Sequence, residues 1–185
     1  MSKVAPGRII VAAILAILVY GMISPMLGTL LPGFGLTPEQ SGNVAFAQAL
    51  GLMISSMFAG PLVDSRGKKA ALLLGLALAS LALLLLPAFG GYRSTVALMF
   101  LLGLGGGTIV TGANALAGDV NESRRASTLN LLNMFFGLGG LLTPLIMGRL
   151  LGGNAVALCY IVAGLTGVTL LVHAATAMPG PSGAR

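Results

Sequence analysis

Charge is scarce in this 185-residue chain: only 8% of residues are Asp, Glu, Lys or Arg, and 4 of them are acidic. Glu39, Asp64, Asp119 and Glu122 all fall in or beside the breaks between apolar runs. No carboxylate is therefore expected at mid-membrane depth, where a proton-coupled carrier keeps one. Cys159 is the single cysteine and lies within an apolar run. An intramolecular disulfide is excluded, and a buried, inert thiol is expected. His173, the single histidine, lies near the end of the last apolar run. It is read as an interfacial or packing group, and it is the only proton carrier left once the carboxylates are set aside. There is no nucleophile–base pair, metal-ligand cluster or phosphate loop. An enzyme is not expected, and neither is a metal or cofactor.

What the chain has instead is apolar length. It is 56% hydrophobic, with a mean hydropathy of +0.99, which places it in the membrane class. Its 28 glycines are roughly twice ordinary usage, as suits helices that approach closely in lipid. Six stretches, at about 8–31, 41–63, 70–88, 95–118, 126–151 and 154–178, are each long enough to cross a hydrocarbon core of about 30 Å. The first follows Lys3 and Arg8 in the manner of a signal peptide. It runs too far without a small-residue cleavage site, and is read as a retained span. The expected architecture is one all-α membrane domain of six helices over 1–185.

The net charge of +6 sits in the connections, so it sets topology and does not imply a nucleic-acid partner. Lys3, Arg8, Arg66, Lys68, Lys69, Arg124, Arg125 and Arg185 fall on one side, and Arg93 and Arg149 on the other. That bias predicts both termini on the cytoplasmic face of a bacterial inner membrane. The expected partners are the lipid bilayer and a small-molecule solute.

The chain is organised around Gly60-Pro61-Leu62-Val63-Asp64-Ser65-Arg66-Gly67-Lys68-Lys69, a tight hairpin between the second and third spans. Gly67 permits the turn. Asp64 falls at the C-terminal end of its helix, where the macrodipole is already negative. It must either pair with Arg66 or Lys68 in headgroup water, or be compensated from outside the hairpin by a cation or a helix N-terminus. The stretch closely resembles the G-x-L-x-D-(R/K)-x-G-R-(R/K) loop of major facilitator superfamily transporters. Gly60, Leu62, Asp64, Gly67, Lys68 and Lys69 match, and Ser65 stands where a basic residue is usual. The resemblance implies that Asp64 engages a helix of an opposite half and helps lock a cytoplasmic gate.

Polar residues divide the spans. The first carries Tyr20, Ser24 and Pro25, and Pro25 should bend it. The second carries Gln48, Ser55 and Ser56; the fourth Gly103, Gly107, Thr111 and Asn114 on one face; the fifth Asn130, Asn133, Gly137, Gly140 and Pro144. The third and sixth are plain. This division is similar to a six-helix half of the family, built as a 3+3 inverted repeat, in which the first and fourth helices line the cavity, the second and fifth meet the other half, and the third and sixth stand outside. No internal repeat is visible in the sequence itself. Arg125, Asn130, Leu131, Leu132, Asn133, Phe135, Phe136, Gly137, Gly140 and Pro144 resemble the matching stretch of bacterial fucose- and glucose-permease-like members. In the fourth span, Met99 stands where the family's R-x-x-x-G-x-G-x-G pattern has Arg.

These features point to transport of a neutral, polyhydroxylated solute, a sugar, by facilitated diffusion. Tyr20, Gln48, Thr111, Asn114, Asn130 and Asn133 are the candidate cavity residues; alternatively such amides join helices. Family carriers have twelve spans, and six cannot enclose an alternating gate alone. The expected solution is a parallel homodimer through the second and fifth spans, with Ser55, Ser127, Thr128, Gly137, Gly140 and Pro144 at the interface. A separate C-terminal half, or a non-transporting scaffold, would be the other answers.

Overall fold

The computed structural model describes residues 6–89, 91–120, 124–178 and 180. Lys3, Glu122, Arg185 and most of the 179–185 tail lie outside the described residues. The chain is all-helical there, with six helices long and apolar enough to cross a membrane.

The first span consists of α1 (Pro6–Ile23) and α2 (Met26–Leu30), closed by a 3-10 turn over Leu31–Phe34. The break falls at Ser24 and Pro25, because Pro25 has no N–H to give to the Gly21 carbonyl. The second span, α3 (Pro38–Arg66), starts ahead of its apolar run because Thr37 caps it. Thr37 Oγ1 accepts from the Gln40 amide at 3.2 Å, and Gln40 Oε1 accepts from the Thr37 amide at 3.1 Å. This capping box, followed by proline at the first helical position, satisfies donors that would otherwise be orphaned. Gly67 alone separates α3 from α4 (Lys68–Leu85). Its φ of +87° lies where a side chain would be strained.

The fourth span is α5 (Tyr92–Val120) and the fifth α6 (Arg125–Leu145). The sequence suggests one helix over 126–151, but past Pro144 the chain widens into a π turn, Ile146–Leu150. Pro144 itself lies inside α6, where it has no N–H to give to the Gly140 carbonyl. The sixth span, α7 (Ala155–Ala175), is N-capped by Asn154, whose Oδ1 accepts from the Ala157 amide at 3.0 Å.

α5 lies against α1, α3 and α4, while α1 packs on α6 and α7, and α4 on α7. Two crossings share one geometry. A Cβ on Gly21 would strike the Phe136 carbonyl, and one on Gly139 the Leu18 carbonyl. Likewise a Cβ on Gly51 would strike the Phe100 carbonyl, and one on Gly103 the Gln48 carbonyl. In each crossing, the glycine meets the carbonyl three positions before the partner's glycine. The first crossing joins spans one and five, the second spans four and two. Exchanging the two three-helix repeats converts one into the other, so the inverted repeat shows in the packing although not in the sequence.

Coverage is uneven. Of the most apolar windows, 61% of the first span and 56% of the fourth are buried, against 28% of the second and 17% of the fifth. The two plain spans each bury one side. α4 covers Leu72, Leu76, Ala79 and Leu83 and turns Leu74, Leu81 and Leu84 outward; α7 covers Leu158, Val162 and Thr166 and exposes Tyr160, Leu165 and Val168. The least covered helices are therefore the two expected to meet another half.

Gly103→Ala is expected to destabilise the bundle by about 1–3 kcal/mol, the usual cost of overpacking. Gly60→Ala, where a Cβ meets open space, should leave the melting temperature in detergent unchanged. Equal melting temperatures for the two would refute the backbone crossing.

Candidate substrate cavity

Four helices converge on a cavity of about 270 Å³. α1 supplies Ile17 and Tyr20, α3 Leu52 and Ser56, α5 Gly107, Val110 and Asn114, and α6 Asn133 and Phe136. Gly106 makes room for the Tyr20 ring, since a Cβ there would run into it. The ring in turn lies 5.6 Å from that of Phe136, tilted by 36°. Among the described residues, no ionisable side chain other than tyrosine lines the space.

Short hydroxyls near the cavity return to their own helices. Ser56 Oγ donates to the Leu52 carbonyl at 2.8 Å and Thr111 Oγ1 to the Gly107 carbonyl at 2.9 Å. The amides do not. Among the described residues Asn114, Asn133 and the Tyr20 hydroxyl make no hydrogen bond, and neither do the Gln48 and Asn130 side chains. Amides elsewhere are engaged: Asn43 Nδ2 donates to the Tyr92 hydroxyl at 2.9 Å. A bond between spans comes instead from a hydroxyl at the α1–α6 crossing, where buried Thr143 Oγ1 donates to the Met22 carbonyl at 2.7 Å. The side chains suspected of holding helices together are thus free to hydrogen-bond something else.

The structure brings Tyr20, Asn114 and Asn133 together and separates the other three candidates. Gln48 lies outside the lining, with its backbone carbonyl under Gly103. Thr111 is turned to its own helix. Asn130 lines a different cleft, of about 470 Å³, with Ile10, Arg124 and Ser127. Sequence spacing did not single out Phe136 as a cavity residue. Its separation of three from Asn133, which puts both on one helical face, was the available signal.

In the hairpin, Asp64 and Arg66 are exposed on the last turn of α3 and Gly60 is half-buried within it. Asp64 makes no hydrogen bond or ion pair among the described residues; the alternative pairing with Arg66 or Lys68 is not formed. Lys68 is buried. Lys69 is engaged elsewhere, its Nζ donating to the carbonyls of Ala174 and Thr176 at 2.7 and 2.9 Å. A cation there completes the end of α7.

The residues expected at an interface differ in how far this chain already covers them. Ser55 is buried against α5, close to Gly107, and Thr128 is buried with its hydroxyl on the Arg124 carbonyl at 3.2 Å. Each nevertheless borders an open cleft, Ser55 one of about 330 Å³ and Thr128 the one that holds Asn130. Gly140 is half-buried, close to Gly21, whereas Ser127, Gly137 and Pro144 stay exposed. His173 is fully buried, as the packing half of its expected role requires, with Nδ1 2.7 Å from the Thr169 carbonyl. Cys159 is buried as expected.

Residues 9–184 match the model of the Major Facilitator Superfamily, and the chain belongs to that family. It is 30% identical to the quinolone resistance protein NorA of Staphylococcus aureus over 129 residues, 69% of this chain and 33% of that protein. It is 26% identical to the niacin transporter NiaP of Acinetobacter baylyi over 153 residues, covering 82% and 35%. The chain thus spans about a third of the length of these curated relatives. Among solved structures, the fucose:proton symporter FucP of E. coli superposes with a TM-score of 0.76 at 21% identity, covering 95% of this chain and 51% of that one. A structure of proton-dependent oligopeptide transporters superposes with 0.77 at 16%, covering 98% and 44%. The fold is therefore one six-helix half of a carrier, and the family consists of membrane transporters, not enzymes.

If the cavity amides hold no helices together, Asn133→Leu should cost less than about 0.5 kcal/mol, below the range of a lost hydrogen bond. Thr143→Val, which removes the bond to Met22, should cost about 0.5–1.5 kcal/mol. Thermal melts of the two variants in one detergent provide the comparison, and a larger loss for Asn133→Leu would return it to a structural role.

Proposed function

We propose that the chain is the solute-binding half of a carrier that moves a small neutral solute by alternating access, with both termini in the cytoplasm. The observation that carries this reading is the set of unbonded polar groups, Tyr20, Asn114 and Asn133, facing one cavity where four spans meet. An amide at membrane depth with no protein partner is costly unless water or a solute satisfies it. A charged solute would need a countercharge that the described lining residues do not offer. The sugar reading rests on the amides and on the resemblance of the fifth span to sugar permeases. Facilitated diffusion is favoured over proton coupling because the described cavity residues include no carboxylate.

The second half, on this reading, is an identical chain placed parallel, covering the bare faces of α3 and α6. Asp64 then finds its compensation across the interface. α6 begins at Arg125 with no side-chain cap on its first amides, and an unpaired carboxylate from a second copy suits that helix N-terminus. The same contact would form twice about the symmetry axis. A separate C-terminal half in place of the second copy would use the same two faces, and a scaffold would leave the cavity with nothing to bind.

Purified protein reconstituted alone in liposomes should take up a labelled neutral sugar saturably, with no response to a pH gradient. Folded protein that transports none of a sugar panel would favour the separate partner half or the scaffold. Asp64→Asn should insert normally but shift the carrier away from its outward-open state, raising the accessibility, from the cytoplasmic side, of a cysteine introduced into the cavity lining. Unchanged accessibility on both faces would count against the gate.

A further inference from the structure

A cleft of about 280 Å³ lies apart from the solute cavity, between α1 and α7, and shares no lining residue with it. α1 supplies Gly7, Arg8, Val11 and Ala12, and α7 supplies Val172 and the Thr176 that ends it. The first and last spans run in opposite directions. Arg8 and Thr176 therefore stand at the mouth, and Ala12 and Val172 one turn deeper. Below its polar mouth the cleft is apolar, and Val11 and Val172 keep much of their surface open. Charge at the mouth has one sign. Arg8 is exposed and makes no hydrogen bond or ion pair among the described residues. Lys69 stands behind Thr176, with Nζ 2.9 Å from the Thr176 carbonyl. Both of its partners are carbonyls and neither is a carboxylate, which leaves one ammonium donor over. No acidic side chain lines the cleft among the described residues. Gly7 keeps the mouth open, since a Cβ there would meet nothing within 4 Å.

We propose that this cleft seats an anionic phospholipid, with its phosphodiester on Arg8 beside Lys69 and the start of an acyl chain along Val11 and Val172. An arginine fork matches two phosphate oxygens, and a basic pocket between spans suits an anionic headgroup. The apolar walls decide between a lipid and a free anion. A hydrated inorganic anion gains nothing from Val11 and Val172, whereas a chain one turn below the phosphate does. The one-sided charge decides between headgroups. A zwitterionic lipid would bring an amine to a mouth that offers cations and no carboxylate, so a net negative headgroup fits better. A lipid held there would join the first span to the last at the end where Lys69 already ties α4 to α7. The site stands or falls independently of the solute reading, because the two clefts have separate linings.

The test uses the full chain purified in detergent, with lipid binding read by native mass spectrometry and stability by thermal melts. The probes are phosphatidylglycerol, phosphatidylcholine with the same acyl chains, and inorganic phosphate. Phosphatidylglycerol should bind about fivefold more tightly than phosphatidylcholine, the weight of one basic residue at a membrane surface. It should also raise the melting temperature more than phosphatidylcholine does, as a ligand of the folded state must. Arg8→Gln should abolish that preference, whereas Arg93→Gln, at the opposite end of the bundle, should leave it intact. Gly7→Leu places a side chain in the open mouth without striking the protein. It should abolish the preference too, while the melting temperature without lipid stays the same or rises, since leucine is the better helix former. Equal binding of the two lipids, or a preference that survives either cleft substitution in folded protein, would overturn the site. Displacement of phosphatidylglycerol by millimolar phosphate would also overturn it, by showing an anion site with no seat for the chain.

Discussion

In a bilayer, apolar burial does little to draw helices together, because lipid tails are as apolar as the side chains they would replace. The bundle depends instead on close backbone approach at a few glycines. Gly21 with Gly139, and Gly51 with Gly103, let paired helices bring carbonyls to where side chains would stand. Gly75 and Gly105 do the same between α4 and α5, where a Cβ on either would lie within 2.9 Å of the other's carbonyl. Dispersion over such flat surfaces, with Cα–H contacts to carbonyls, is summed over many atoms and needs no polar side chain. That frees the polar side chains between the crossings.

What those side chains do then follows from their length. A threonine or serine hydroxyl reaches its own helix's carbonyl one turn back, and Thr108, Thr111, Thr166 and Thr169 all do so, at 2.7–2.9 Å. An asparagine amide has two donors and an acceptor, more than the walls of an apolar bundle can satisfy. Asn114 and Asn133 would be a liability on a sealed interface. Beside a cavity, the missing partners can come from outside the protein.

Much of this was legible in the chain. Six runs of apolar residues gave six spans, since crossing lipid demands length and little else, and the family hairpin at Gly60–Lys69 marked the half-carrier. Pro25 announced the break in the first span. Boundaries drifted from hydropathy: Thr37 began α3 before its apolar run, and the fifth span ended in a π turn just past Pro144. The inverted repeat was hidden because it is preserved in glycine positions and backbone contacts, and not in similar side chains. For the cavity candidates, depth could be read from the sequence but azimuth could not. Asn130 and Asn133 are three apart on α6, yet they open into different clefts. A helix face is too wide, and its rotation against neighbours too dependent on packing, for spacing alone to separate them.

The remaining asymmetry is electrostatic as well as apolar. Lys69 is tied to the end of α7, while Asp64, a few residues away, is left without a partner among the described residues at the end of α3. A carboxylate at a helix C-terminus is repelled by its own macrodipole, so the isolated half holds it in a poor position. The uncapped start of α6 is the complementary defect, an excess of unsatisfied amides. Both defects lie at the ends of the two least covered spans, and both are of a kind that one further six-helix unit could relieve on docking. Such a contact would be easily broken, since the carboxylate remains close enough to solvent to be rehydrated. That reversibility is what a gate requires, and a stronger, buried ion pair at the same place would hold the carrier shut.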